Sequence, residues 1–243
     1  MNKYCMFLAG LLVVLFGSFA YCEAEEPNTT HSPRQAVAEQ KQVSSIEALS
    51  TTVYPKEKTR HLLPHKRGDL LHIAFEKGYI GKGVKLEPVV LHETYTIEVL
   101  VKPSGRQIAY AAILGNHSAA GSEGFVVQQD GKDQGNFRMS FGDGEKFSKS
   151  DLFKLQDGSW HYLVVVGNNM NTQHIYVDGS LVGKFTPMNK LKNSSLPLQI
   201  GNWIMENRPF SGSIAEVRIA NTSLSEKDIR MRWNKLKPQL EKM

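Results

Sequence analysis

Residues 175–182 read Ile175-Tyr176-Val177-Asp178-Gly179-Ser180-Leu181-Val182. Two alternating apolar runs flank Asp178-Gly179. A two-residue hairpin turn needs positive φ at its central positions, which Asp and Gly tolerate best. The stretch is therefore expected to be a tight antiparallel hairpin, and its neighbours repeat the strand pattern in both directions.

Upstream lie Leu70–Phe75, Tyr95–Val101, Ala111–Leu114, Phe125–Gln128, Phe137–Phe141 and His161–Val166; downstream lie Leu198–Ile200 and Ile214–Ile219. These runs are β-branched or aromatic, mostly alternate, and are punctuated by Gly, Asn and Asp. Many short strands without long intervening helices predict an all-β, antiparallel two-sheet β-sandwich. One helix is expected at the end. Ser223-Leu224-Ser225-Glu226 reads as a capping box, Ile229, Trp233 and Leu236 share a face, and Pro238 is expected to stop it.

The chain has 243 residues, 41% hydrophobic and 22% charged, with a net charge of +5. That composition supports a real core. The Lys and Arg residues are dispersed, which argues against nucleic acid as a partner. Lys3 followed by Met6–Phe16 and then Gly17, Ser18 and Ala20 reads as a secretory signal peptide over 1–22. The apolar run is shorter than the roughly 20 residues of a comfortable span. The only cysteines, Cys5 and Cys22, allow no disulfide inside the main body, and Cys22 is a candidate lipidation site. Residues 23–66 have the composition of a flexible polar linker, with a short helix expected behind Ser32-Pro33. The sandwich is expected over 67–236, with 237–243 a tail. The chain is thus expected to be secreted or held in the cell envelope.

Five segments carry a family resemblance: Tyr95–Pro103, Asp157–Val165, Ile175–Gly179, Leu198–Gly201 and Phe210–Glu226. In that order they resemble the laminin-G-like (LamG-like) domains of the concanavalin A-like lectin/glucanase superfamily. The resemblance implies a jelly roll. It also implies a binding module, and in many relatives a calcium ion. Here Ala215 stands where the family writes Asp. That departure argues against a calcium site at the family position and leaves Glu216 and Asp143 as oxygen donors for a cation that wants about six to eight. No cofactor is expected.

Catalysis is not expected. A glycoside hydrolase on this fold needs two facing carboxyl groups roughly 5 to 9 Å apart, whereas Glu98 and Glu216 each stand alone in their strands. Trp160, Tyr176 and Gly212 read as residues that specify the fold. Sugar sites combine aromatic faces with amide donors on loops. Three loops offer them: Asn116 with His117, Asn168 with Asn169, and Asn202-Trp203 with Asn207-Arg208. The resemblance therefore implies an exported, non-catalytic module binding a glycan through these residues. The alternative is a protein-interaction or adhesion module recognising a cell-surface protein. Asn28, Asn116, Asn193 and Asn221 also fall in glycosylation sequons, which apply only in a eukaryotic host.

Overall fold

The computed structural model describes residues 62–64, 66, 69–79, 83–118, 122–168, 172–187, 189–203 and 207–243. All belong to one compact unit, Thr52–Met243. The expected signal peptide, Cys22 and nearly all of the expected linker lie outside the described residues.

Among the described residues the chain forms β1 (Asp69–Tyr79), β2 (Val84–Lys85), β3 (Tyr95–Pro103), β4 (Ala112–Gly115) and β5 (Phe125–Gln129). There follow β6 (Asn136–Gly142), β7 (Phe147–Lys149), β8 (Phe153–Lys154), β9 (His161–Asn168) and β10 (Thr172–Val177). The last elements are β11 (Ser180–Phe185), β12 (Gln199–Ile200), β13 (Gly212–Ala220) and one helix, α1 (Glu226–Leu240). The strands pair antiparallel into two sheets. One is six-stranded, in the order β1-β13-β3-β9-β10-β11; the other is seven-stranded, β2-β12-β4-β5-β6-β7 with β8 on β6. This is the two-sheet jelly-roll sandwich expected from the strand pattern.

The hairpin that opened the reading is β10–β11. Asp178 and Gly179 have φ of 54° and 79°, the mirror-image turn that suits the strand twist. Asp178 has a second task. Its carboxylate accepts from the Tyr162 amide at 2.9 Å and meets His161 Nδ1 at 2.8 Å, so the turn is tied to β9. Gly212 begins β13 at a φ of 144°, with space for no side chain: a Cβ there would stand 2.2 Å from the Lys102 carbonyl oxygen.

The inner faces of both sheets form the main core, with Tyr95, Ile97, Val99, Phe125, Val127, Phe137, Met139 and Phe141 among its members. A second apolar layer lies on the outer face of the six-stranded sheet. Leu100, Tyr162, Val164 and Tyr176 are buried there with Ile229, Leu236 and Leu240 of α1. Because this sheet is covered on both faces, β3 is buried almost throughout rather than alternating.

Two expectations about the ends need correction. The N-cap is Ser225, whose side chain accepts from the Asp228 amide, not Ser223, and the helix continues through Pro238 to Leu240. Leu240, 2% exposed, is held in the second core, and that packing offsets the interruption of the helical ladder at proline. At the other end, Leu62 and Leu63, expected to be linker, join the same layer. Their amides donate to Glu216 Oε2 at 2.7 and 3.0 Å.

Beneath α1 sits a fully buried carboxylate. Glu98 of β3 accepts from the Tyr162 hydroxyl, from Arg218 Nη1 and, at 2.6 Å, from Arg232 Nη1 of the helix. Arg218 in turn forks onto Asp69 of β1, with Nε–Oδ2 at 2.8 Å and Nη2–Oδ1 at 2.6 Å. Burial alone would raise the Asp69 carboxyl; the Arg218 and Lys66 hydrogen bonds outweigh it and hold it below its ordinary value. Removing one member of such a network strands the others as buried charges. Glu98→Ala should therefore lose about 3–5 kcal/mol of unfolding free energy in a urea titration. A loss under about 1 kcal/mol would show that the network does not hold the helix and β1 in place.

Candidate functional site

No helix among the described residues covers the outer face of the seven-stranded sheet. Phe137, Met139 and Phe141 of β6 point into the core, so the alternate residues Arg138 and Ser140 lie on the outer face. The register places Arg138 opposite Gln128 and Ser140 opposite Val126. Ala112 of β4 pairs with Gln128 on the other side. Trp203 closes over this surface, packed with Ala112 and Val126.

Four aromatic or cationic side chains assemble around Trp203. The His117 ring stacks on it with centroids 4.3 Å apart, and Phe147 stands 5.6 Å from His117. The Arg208 guanidinium lies 4.8 Å from the Trp203 ring centroid and 5.0 Å from that of Tyr110. It is held between the two rings, a geometry favourable to a guanidinium plane.

The polar atoms of this face are under-satisfied. Six buried side-chain N or O atoms among the described residues lack a hydrogen-bond partner. Four of them, His117 Nδ1, Arg138 Nε, Ser140 Oγ and Trp203 Nε1, belong to this one face, and a fifth, Asn202 Oδ1, is next in the chain to Trp203. Each such group costs about 1–3 kcal/mol when nothing meets it. These atoms are closed to bulk solvent, so buried water is what could meet them.

Backbone strain gathers here too. Tyr110 and Asn207 adopt φ of 62° and 49°. For a bulky residue such as Tyr110 the left-handed region costs about 1–3 kcal/mol. The surroundings impose it. The Tyr110 amide donates to Gln129 Oε1 at 3.1 Å. Gly131 leaves room for the ring, since a Cβ there would lie 2.4 Å from Tyr110 Cζ. Gln107 fixes the preceding loop, donating through Nε2 to the Ser211 carbonyl at 2.6 Å and accepting at Oε1 from the Ser211 amide at 2.9 Å.

Of the residues expected at a binding site, the structure brings together Asn202, Trp203, Asn207 and Arg208. Trp203 itself is 3% exposed, so it is the support on which Arg208 rests rather than an open platform; the exposed ring is that of Tyr110. Asn116 is 1% exposed and spends its amide on the fold, donating to the Val89 carbonyl and accepting from the Phe125 amide. Asn168 ends β9 in the other sheet, and Asn169 lies outside the described residues. The sequon residues Asn193 and Asn221 are also employed, clamping the backbones of Leu91 and His92.

The two metal candidates lie on different sheets. Glu216 is buried on the six-stranded sheet against His72, at 2.5 Å, and the Leu62 and Leu63 amides. Asp143 follows β6 and accepts from the Glu145 and Lys146 amides, at 3.1 and 2.9 Å; these hydrogen bonds lower its carboxyl. Glu98 and Glu216, the acids considered for catalysis, share the outer face of the six-stranded sheet, and both are consumed by structural contacts. Among the described residues no three His, Cys, Asp or Glu side chains converge on a cation position.

Residues 77–230, more than half of the chain, match the concanavalin A-like lectin/glucanases superfamily. The chain belongs to that superfamily. Among solved structures it is similar to CBM40 of the Ruminococcus gnavus IT-sialidase bound to α2,3-sialyllactose. The identity is 15% and the TM-score 0.54, covering 68% of this chain and 98% of that one. It is also similar to domain 4 of AbnA, a GH43 extracellular arabinanase from Geobacillus stearothermophilus, in complex with arabinotriose. There the identity is 18% and the TM-score 0.50, covering 62% and 71%. A mutant of HCR/D gives 16% identity and a TM-score of 0.52 over 69% of this chain, but the chain spans only 51% of that structure. Identities this low establish shared architecture. No curated protein matches the chain.

Burial, and then the charge of Arg208, push the His117 imidazole down to about 4. In the unfolded chain it would titrate near 6.5. Between those values the unfolded state binds more protons, so stability is full above about pH 6.5 and falls as pH drops toward about 4. His117 should contribute a loss of about 2 kcal/mol between pH 7 and pH 5, read by urea unfolding at the two pH values. His117→Gln should remove that part of the slope; equal slopes in both proteins would assign it to other groups.

Proposed function

We propose that this chain is an exported, non-catalytic binding module that takes a glycan on the outer face of its seven-stranded sheet, over Tyr110, Arg208, Arg138 and Gln128. The observation that carries this reading is the exposed Tyr110 ring beside the Arg208 guanidinium, which is supported from below by Trp203. Sugars suit such a surface, because their hydroxyls both donate and accept while their C–H faces stack on aromatic rings. Support comes also from the saccharides in the sialidase and arabinanase modules of similar fold. The roles of Glu98 and Glu216 as structural carboxylates support a binding rather than a hydrolytic function.

A protein partner is the second reading, favoured by one feature. The edge strand β11 exposes Leu181 and Val182, at 48% and 41%, along an edge that no strand among the described residues pairs. A docking strand would use that edge and not the polar face.

A glycan array probed with the full chain separates the two. The glycan reading expects a defined sugar set to bind, Arg208→Ala to weaken binding at least tenfold, and Asn168→Ala to leave it unchanged. A folded Arg208→Ala variant with full affinity would falsify the site. Silence of a folded protein across the array would move the assignment to a protein at the β11 edge.

A further inference from the structure

We infer that Tyr110 is the contact this face is built to present, holding a saccharide by its C–H face, and that Gly131 is the positioning residue that seats its ring. The inference deepens the glycan reading and rests on it.

The backbone carries the first part. The Ala111 amide donates to the Ile108 carbonyl at 3.1 Å, which closes a turn over Ile108–Ala111. Tyr110 is the third residue of that turn, at a φ of 62°. A positive φ at the third position is the mark of a turn whose usual occupant is glycine, because a side chain there crowds its own backbone. Tyrosine at such a place costs stability that glycine would spare. The core gains nothing in exchange: the ring is 41% exposed and belongs to none of the three apolar clusters. Strain kept at an exposed aromatic residue points to a task outside the fold.

The second part is how the ring is seated. Buried Gln129 accepts the Tyr110 amide at Oε1, 3.1 Å, and donates through Nε2 to the Asp133 carbonyl at 3.0 Å, so the turn is tied to the β5–β6 connection. Gly131 lies in that connection. A Cβ there would stand 2.4 Å from Tyr110 Cζ and 2.7 Å from its hydroxyl oxygen. Gly131 is not among the glycines of positive φ, so the position requires glycine for space alone. The colliding atoms are the far end of the ring, so a methyl group at 131 would displace the phenol and not the backbone. Arg138 is paired with Asp130, and Arg208 rests between the Trp203 and Tyr110 rings. What this face offers is therefore the ring. An aromatic face takes the C–H face of a sugar, and a ring already fixed in place loses little freedom when a ligand stacks on it.

The test pairs thermal unfolding with a glycan array, both on the full chain. Tyr110→Gly should abolish the parent's array signals while its melting temperature stays equal to the parent's or rises. Tyr110→Phe, which keeps the ring face, should retain the signals. Gly131→Ala should weaken them roughly tenfold or more. Placed in a Tyr110→Gly background, Gly131→Ala should leave the melting temperature unchanged, because no ring is there to displace. A lower melting temperature for Tyr110→Gly would show that the ring serves the fold. Undiminished signals from Tyr110→Gly or Gly131→Ala would show that the seated ring is not the contact. Either result would overturn the inference and leave the glycan reading, tested through Arg208→Ala, standing. Silence of the folded parent across the array would overturn both.

Discussion

The Glu98 carboxylate, with no exposed surface, is contacted from three elements: the Tyr162 hydroxyl of β9, Arg218 of β13 and Arg232 of α1. Through Arg218 the same group reaches Asp69 of β1. A carboxylate cannot be buried without such company, because desolvation far exceeds what a single weak contact returns. Once these partners are in place, the helix is fixed over the sheet and the first strand is fixed beside the last. Burial raises the Tyr162 phenol far above its ordinary value, and the neighbouring carboxylate adds to that, so its proton stays available to donate.

This anchoring makes the two outer faces of the sandwich unlike. On the six-stranded sheet, polar groups are matched almost one to one: Glu98 and Glu216 are saturated, and Thr96 donates to the Thr222 carbonyl while accepting from the Leu224 amide. On the seven-stranded sheet, polar groups are buried without partners and two residues sit in left-handed backbone. The contacts that hold the fold thus concentrate on the first face, and the unpartnered buried groups on the second. The deficits on the second face are tolerable because the first face and the double-sided core supply the stability.

The strand pattern made the fold legible, and the reasons are local. Asp178-Gly179 writes its own turn, and β3, β9 and β13 carry enough β-branched residues to read as strands. The strands missed, β2, β7 and β8, are two or three residues long and each includes a lysine, so no period can register in them. Pro238 misled because the stop signal is local while the packing of Leu240 is not. The candidate site was legible in part. Sequence reasoning grouped Asn202, Trp203 and Arg208, and the structure sets Arg208 over the Trp203 ring; Tyr110 was missed, since no turn-forming residue flags its left-handed φ. Glu98 looked solitary for the same physical reason: its partner Arg218 faces it across the β3–β13 register, 120 residues away in sequence.

His117 shows how the two faces differ at the level of one side chain. An imidazole stacked on Trp203 and near Arg208 is held neutral, with its titration displaced well below physiological pH. A protonated ring there would repel the Arg208 guanidinium, and the cost of burial would be added to that repulsion. A neutral ring instead supplies a flat support and one nitrogen of either hydrogen-bonding sense. The ring therefore adds no charge beside Arg208, whose guanidinium lies 4.8 Å from the centroid of the same Trp203 ring.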